Sequence, residues 1–352
     1  MKSPVIARSA VSLTELGVQN SPAKLVPAGS VLLVVRSGIL KHTLPVALTS
    51  AVVTMNQDMK ALVPKATVHA PYLARLVKSL QPTVLGWVRA TTADNFPIDK
   101  LLDYEIDVPP IEEQRRIAAI LDQADDLRVK HSSAISCYED LTQSIFLDMF
   151  GSPATWSSRW EMGTIGDMAE DVQYGTAAKA GATGEWPIIR MGNITDDGRL
   201  DLADLKWIDL ANRDLPKFTV KRGDLLFNRT NSREKVGKTC VVAADQPLAF
   251  AGYLIRVRFK PEHCPEFVNA YLTSDFGRAL RLSMAKPAVN QANISASEMR
   301  RMPIACPPST LQRRFADALS LVDVERERQL TALSETQELF AALQSRAFSG
   351  QL

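Results

Sequence analysis

Six cations fall between Lys221 and Lys238, namely Lys221, Arg222, Arg229, Arg233, Lys235 and Lys238, against only Asp224 and Glu234. Asn228, Thr230, Asn231 and Ser232 are interleaved with them. Ammonium and guanidinium groups pair with phosphate oxygens, and amides and hydroxyls reach the donor and acceptor edges of bases. The interval therefore has the composition of a DNA-contacting loop. A solvated surface loop has the same composition, and the interval alone does not separate the two readings. A second polar cluster, Asn290-Gln291-Ala292-Asn293, has an earlier counterpart in Thr91-Thr92-Ala93-Asp94-Asn95. Such side chains suit base edges, but they also make turns and cap helices.

Covalent and nucleotide chemistry find little support. Gly237-Lys238-Thr239 ends like a P-loop, but Ser232 stands where that pattern needs its first Gly, and a strand rather than a helix is expected next. Ser283-Met284-Ala285-Lys286 satisfies S-x-x-K without the companion S-D-N and K-T-G elements. No nucleophile elbow, dinucleotide loop or H-E-x-x-H helix occurs, and the pairs Asp125-Asp126 and Asp196-Asp197 have the flanks of exposed helix and turn positions. The four cysteines and four histidines are scattered without metal-ligand or disulfide spacing. These residues describe a binder. The competing readings are a P-loop-like nucleotide hydrolase built on Gly237-Lys238-Thr239 and a coiled-coil adaptor that touches only protein.

The elements that must position these residues come in two copies. Pro109-Pro110 with Gln114-Arg115-Arg116 recurs as Pro307-Pro308 with Gln312-Arg313-Arg314, and one shift of 198 also carries Asn95 onto Asn293, Ile106 onto Ile304, Leu121 onto Leu319, Asp125 onto Asp323, Leu141 onto Leu339 and Phe150 onto Phe348. After each Pro-Pro the sequence predicts a long helix. Its seam is expected at Ile120, Ala124, Leu127, Ala134, Tyr138, Leu141 and Ile145 in the first copy, and at Phe315, Leu319, Val322, Leu330, Leu333, Phe340, Leu343 and Ala347 in the second. Helices of this length outrun a small domain, so the expectation is an antiparallel pair, with Ile120, Leu127 and Leu141 facing Leu319, Leu333 and Phe340. Between them, Trp186–Arg190, Asp224–Phe227, Thr239–Val242 and Tyr253–Phe259 predict strands and Pro265–Leu282 a helix. Pro27-Ala28-Gly29 before Val31–Val35, and then the helix Pro71–Leu80, repeat the later part of that region.

The expected fold class is thus α/β, mixed α+β, with two α/β domains related by the repeat and separated by two long helices. The expected bounds are 1–108 and 152–306 for the domains, and 109–151 and 307–352 for the helices. A chain of 352 residues with 46% hydrophobic and 23% charged residues has ample core for two domains. The net charge of +2 excludes a generally basic coat and confines any nucleic-acid contact to a local patch. No apolar run approaches the ~18 residues of a membrane span, and no secretory pattern opens the chain, so the cytoplasm is expected.

The run Pro109-Pro110-Ile111-Glu112-Glu113-Gln114-Arg115-Arg116-Ile117-Ala118-Ala119-Ile120-Leu121-Asp122, its second Pro-Pro-x-x-x-Gln copy and the two α/β regions together resemble the DNA-specificity subunit of type I restriction-modification systems. The resemblance implies two target-recognition domains, each reading half of a split double-stranded DNA site, and a helical spacer. It implies no catalytic site, metal or cofactor on this chain. Methyltransferase (M) and restriction/translocase (R) subunits would be the partners, with S-adenosylmethionine, ATP and Mg bound by them. Trp186–Ile194 matches the family's early strand-and-turn motif, Gly223–Phe227 its middle strand and Gln291–Ser295 its late polar turn. Gly29–Leu33 and Asn56-Gln57-Asp58 match in the first copy, but nothing there corresponds to Trp160–Asn193, which implies a first recognition domain shortened at its N-terminus. The candidate DNA contacts are Arg36, Lys41, Asn56, Gln57, Thr91 and Thr92 in the first domain. In the second they are Arg190, Asn193, Arg229, Asn231, Arg233, Lys235, Lys238, Asn290, Gln291 and Asn293.

Overall fold

The computed structural model describes residues 3–9, 11–89, 94–288 and 291–352. The chain divides into one unit of Met1–Ser132 with Leu330–Leu352 and another of Ser133–Gln329. Two helices of 40 residues, Ile111–Phe150 and Ser309–Phe348, each contribute to both units. Both follow a Pro-Pro pair, which cannot continue a helix backwards, and Gly151 ends the first in the left-handed region at φ 73°. In the first unit Ile117 and Leu121 share a core with Phe340, Leu343 and Ala347. In the second, Ile145, Phe146 and Met149 share one with Leu311, Phe315 and Leu319. Each core joins the start of one helix to the end of the other, so the helices run antiparallel.

The seam lies one position away from part of the expected one. Ile117, Leu121, Ala124, Arg128, His131, Ile135, Tyr138, Thr142, Ile145 and Met149 are all buried or half-buried, at strict four-and-three spacing. Adding 198 to each gives Phe315, Leu319, Val322, Arg326, Gln329, Leu333, Thr336, Phe340, Leu343 and Ala347, again all buried or half-buried. Leu319, Leu333 and Phe340 are therefore on the seam, Ile120 is half-buried beside it, and Leu127 and Leu141 are 45% and 41% exposed. The apolar pattern slides onto Leu127 and Leu141 because the true seam carries Arg128 and Thr142 at the neighbouring positions. Arg128 keeps its charge paired with Asp125 at 2.8 Å and lays its guanidinium 5.0 Å over the Phe340 ring.

The repeated Gln has a definite task. The Gln312 amide is fully buried, donating to the Pro307 carbonyl at 2.8 Å and accepting the Cys264 N–H at 2.9 Å. Gln114 donates to the Pro109 and Thr67 carbonyls and accepts the His69 N–H at 2.8 Å. Cys264 and His69 are the N-caps of the helices Pro265–Thr273 and Ala70–Ser79, neither of which has a side-chain cap. Each glutamine thus satisfies an orphan helix donor and ties that helix to a long one. Asp125 and Asp323 repeat as well: Asp125 holds Arg75 at 2.9 Å and Asp323 holds Arg199.

The first unit contains β1 (Val5–Ile6), β2 (Leu25–Val26), β3 (Val31–Val34), β4 (Val46–Thr49), β5 (Val53–Thr54) and β6 (Met59–Leu62), with sheet order β1-β4-β3-β6 and a separate pair β2-β5. The second contains β7 (Met162–Thr164), β8 (Ala169–Tyr174), β9 (Trp186–Ile189), β10 (Lys206–Ile208), β11 (Thr219–Val220), β12 (Leu225–Asn228), β13 (Thr230–Asn231), β14 (Thr239–Val241), β15 (Leu248–Phe250), β16 (Leu254–Phe259), β17 (Lys286–Ala288), β18 (Gln291–Asn293) and β19 (Pro303–Ala305). Its main sheets run β14-β12-β16-β8 and β10-β9-β15-β11. The repeat holds down to register. Val31 pairs with Leu48 and Leu62 as Leu225 pairs with Val241 and Val257, each through antiparallel ladders. Gly29 and Gly223 open these strands at φ 81° and 86°, the left-handed turn that a side chain would strain. Among the described residues the first unit has no counterpart of β7, β8, β9 or β10, so β6 forms one edge of its sheet.

The observed strands follow the expected ones within a residue or two. The expected helix Pro265–Leu282 is two helices, Pro265–Thr273 and Asp275–Met284, because the Ser274 hydroxyl accepts the Gly277 N–H and caps the second. Among the described residues no helix is long and apolar enough to cross a membrane.

Candidate nucleic-acid interface

In the second unit a cavity of about 840 Å³ opens where β9 and β12 end, lined by Arg190, Arg229, Asn231, Lys235, Lys238 and Tyr253 among others. The cationic interval is not one loop. Leu225–Asn228 is a fully buried strand in the sheet, which leaves Lys221 and Arg222 at its far end, where Arg222 pairs with Asp245 at 2.7 Å. Arg229 and the residues after it emerge at the cavity end.

The backbone brings the two polar clusters together. β13 pairs antiparallel with β18, setting Thr230 opposite Asn293 and Asn231 opposite Ala292, and the Thr230 hydroxyl donates to the Asn293 Oδ1 at 3.2 Å. Asn231 lines the cavity, and Gln291 is exposed. Asn290 lies outside the described residues. The first unit repeats this pairing as a bridge between Arg36 and Asn95, the positions equivalent to Thr230 and Asn293.

The cations differ in what already holds them. Arg229 lays its guanidinium 4.8 Å over the Tyr174 ring, and among the described residues its buried Nε has no hydrogen-bond partner. Arg190 reaches Asp204 at 3.0 Å, while among the described residues its Nε is likewise without a partner. A buried N–H of this kind is expensive unless something accepts from it, and both side chains line the cavity. Lys235 and Arg233 are exposed on the turn that follows β13. The Lys238 ammonium is bound to Asp196, and that hydrogen bond holds the Asp196 carboxyl below the usual carboxylate range. Lys238 is followed by β14 and not by a helix, so it lacks the setting of a P-loop lysine.

Asn193 is not an outward-facing contact. It is 4% exposed; its Oδ1 accepts the Arg190 N–H at 2.9 Å and its Nδ2 donates to the Asp201 and Asp204 carbonyls. The turn needs three backbone groups satisfied at once, and a buried amide does that. Sequence reasoning also passed over Arg281, whose buried guanidinium donates to the Val236 carbonyl at 3.3 Å behind the turn. Burial pulls its pKa down to about 10. The signal was available as one Arg among the apolar positions of an amphipathic helix. Tyr174 and Tyr253 were missed because neither sits in a polar cluster.

In the first unit Arg36 lies 3.7 Å from Asp58 and Lys41 3.8 Å from Asp94. Asn56 accepts the Asp58 N–H at 3.2 Å, which makes it a turn residue, and Gln57 is exposed. Thr91 and Thr92 lie outside the described residues.

Two repeated α/β units, each packed with parts of two antiparallel long helices, and a cationic, amide-bearing cavity in the second define a two-copy module protein. The chain belongs to the family of type I restriction modification DNA specificity domains, which it matches over residues 1–135 and 157–334. Its relatives are specificity subunits, and the family is not one of catalysts. The chain is 41% identical to the type I restriction enzyme EcoR124I/EcoR124II specificity subunit of Escherichia coli over 117 residues, 33% of this chain and 29% of that one. It is 23% identical to the EcoKI specificity subunit of Escherichia coli strain K12 over 267 residues, 70% of this chain and 57% of that one. The chain thus spans less than two thirds of the length of these relatives. The fold is shared with the S subunit of a type I restriction-modification system from M. genitalium, at a TM-score of 0.56 and 16% identity over 92% of this chain and 84% of that one. It is shared too with a chain from a structural study of complex assembly and conformational transition in the type I R-M system, at 0.54 and 19% over 95% and 86%.

Proposed function

We propose that this chain is the cytoplasmic DNA-specificity subunit of a type I restriction-modification complex, reading one bipartite double-stranded site with two recognition domains, 1–108 and 152–306. The helices 109–151 and 307–352 act as the spacer, and M and R subunits dock on the assembled chain. S-adenosylmethionine, ATP and Mg belong to those partners, and this chain supplies binding and register. The observation that carries the reading is the cavity of the second unit. There Arg190 and Arg229 present buried N–H groups that have no acceptor among the described residues, beside the Asn231 amide and the exposed Lys235. Arginine forks suit guanine edges or phosphates, an amide suits adenine, and a lysine on a mobile stem suits a phosphate.

The test is a titration of the full chain with its methyltransferase subunit against duplex DNA across a series of salt concentrations. Arg229→Ala should weaken binding to the cognate site much more than to non-cognate DNA, by about 1 to 3 kcal/mol. Equal loss on both would make Arg229 a phosphate contact, and no loss on either would remove the cavity from the DNA surface.

A further inference from the structure

The pair Asp196-Asp197 does more than close an exposed turn. Residues 195–199 form a tight turn in which the Thr195 N–H and hydroxyl both donate to the Arg199 carbonyl, at 3.0 and 3.1 Å, and Gly198 takes a left-handed φ of 82°. Asn269 clamps this turn to the sheet. Its Nδ2 donates to the Gly198 carbonyl at 2.9 Å, and its Oδ1 accepts the Thr239 hydroxyl at 2.7 Å, one residue after Lys238. The two carboxylates then take different partners: Asp197 pairs with Arg199 at 3.1 Å and lies 3.7 Å from Arg326, whereas Asp196 pairs with the Lys238 ammonium.

More cations gather at Asp196 than one carboxylate can match. Its carboxyl is held below the usual range first by the Lys238 hydrogen bond and then by the charges of Lys238, Lys235 and Arg278. Arg281, on the same helix as Arg278, adds a further positive charge from behind. It is 6% exposed, it donates to the Val236 carbonyl at 3.3 Å, and among the described residues its buried Nε has no hydrogen-bond partner. Gly237 lets the chain lie this close, since a Cβ there would stand 2.7 Å from the Arg281 Cδ. Arg278 is exposed, donating to the Thr273 carbonyl at 3.0 Å and reaching the Asp196 carbonyl at 3.5 Å. Among the described residues neither arginine has an ion pair, so Lys238, Arg278 and Arg281 have one carboxylate between them. A buried charge without a counter-ion is costly, and a second anion relieves it. The Lys238 side chain is 11% exposed and that of Asp196 is 78% exposed, so the enclosed ammonium is covered by a carboxylate that faces solvent and can leave by side-chain rotation alone.

We propose that Lys238 and Arg278, backed by the buried charge of Arg281, form a phosphate site that the Asp196 carboxylate fills in the free chain and a DNA backbone phosphate takes over in the complex. Ammonium and guanidinium groups bind phosphate by the same charge-assisted hydrogen bonds they make to a carboxylate. Lys235 and Lys238 also line the cavity of Arg190 and Arg229, which sets this site beside the groups that face the bases. Every duplex must displace Asp196, so the contact sets affinity and register and carries no sequence preference. The inference rests on the DNA-reading role of the cavity and adds to it a phosphate contact with a built-in competitor.

The test is a double-mutant cycle on the full chain with its methyltransferase subunit, titrated with cognate and non-cognate duplexes over a series of salt concentrations. Asp196→Asn should tighten binding to both duplexes by about threefold. In the background of Lys238→Met, which keeps the stem, that gain should vanish. Arg278→Ala, at an exposed side chain, should flatten the slope of log affinity against log salt by about 0.9 on both duplexes. An equal gain from Asp196→Asn in both backgrounds would reduce Asp196 to a diffuse negative charge and overturn the proposal, as would an unchanged slope for Arg278→Ala. Inorganic phosphate at millimolar concentration, against chloride of equal ionic strength, separates the sources of the ligand: the two should compete with DNA equally, and selective competition by phosphate would overturn the assignment to the DNA backbone. Arg229→Ala measured alongside keeps the two readings apart. A cognate-selective loss there with an additive cycle here removes the phosphate site alone, and no binding of either duplex by the chain removes both.

Discussion

Replacing Gln312 by alanine removes two buried hydrogen bonds at once, to the Pro307 carbonyl at 2.8 Å and from the Cys264 N–H at 2.9 Å. The partners are backbone groups at the start of a long helix and at the N-cap of Pro265–Thr273, and neither gains another acceptor or donor when the amide is lost. A buried polar group left unsatisfied costs about 1 to 3 kcal/mol, so the pair sets an expectation of about 2 to 5 kcal/mol. For a unit of this size that is a fall in Tm of roughly 5 to 15 °C. Urea unfolding followed by tryptophan fluorescence reads it, since Trp156, Trp160, Trp186 and Trp207 all report the second unit and only Trp87 the first. Gln114→Ala should produce a loss of the same order confined to the first unit, seen as faster amide exchange in Ala70–Ser79. A shift below ~0.5 kcal/mol for Gln312→Ala would mean that water replaces the amide at both groups, and the repeated Gln would then not be what ties the helices together.

The seam register makes opposite forecasts for adjacent leucines: Leu121→Ala, at a fully buried position, should cost about 2 to 5 kcal/mol, whereas Leu127→Ala should stay within ~0.5 kcal/mol. Chemical denaturation of the two variants checks this, and equal losses would restore the register with Leu127 inside. Glu298 is pulled down to about 2, first by the Lys286 hydrogen bond and then by the Ser295 N–H and hydroxyl. Its native pKa lies below the unfolded one, so its contribution is complete above the ordinary Glu value of ~4.3 and is lost as pH falls towards 2. Urea midpoints from pH 5.5 to 2.5 should therefore drop more for the wild type than for Glu298→Gln; parallel curves would contradict this. Lys235→Ala should flatten the slope of log affinity against log salt by about 0.9, and Asp196→Asn should steepen it by a similar amount by freeing Lys238 for phosphate. Titration of full chain with DNA measures both, and unchanged slopes would return these lysines to solvent.

Much of the fold is readable from residues that act locally or recur. The shift of 198 relates the two helices residue by residue, Ile111–Phe150 onto Ser309–Phe348, each a few residues inside the expected 109–151 and 307–352, and Gly29 and Gly223 mark turns that need a left-handed backbone. The seam was displaced because Arg128, His131 and Thr142 are polar at positions where periodicity looks for apolar residues. The union of Thr230-Asn231 with Gln291–Asn293 rests on a ladder between segments about sixty residues apart, which composition cannot reveal. Asn193 was taken as a contact because an amide in a turn and an amide facing DNA are the same residue; only its three backbone partners separate the two. The split of the cationic interval by Leu225–Asn228 turned on an apolar run too short to outweigh the charges around it.

Methylome sequencing of cells carrying this chain as wild type, as Arg229→Ala with Lys235→Ala, or deleted reaches the central claim most directly. The wild type is expected to yield one methylated motif in two parts. One part should be tightly specified by the second unit. The double variant should lose or degrade the tight part, and deletion should abolish the motif. Methylation that persists unchanged after deletion, or a motif unaltered by the double variant, would contradict the assignment of DNA reading to this chain and to this cavity.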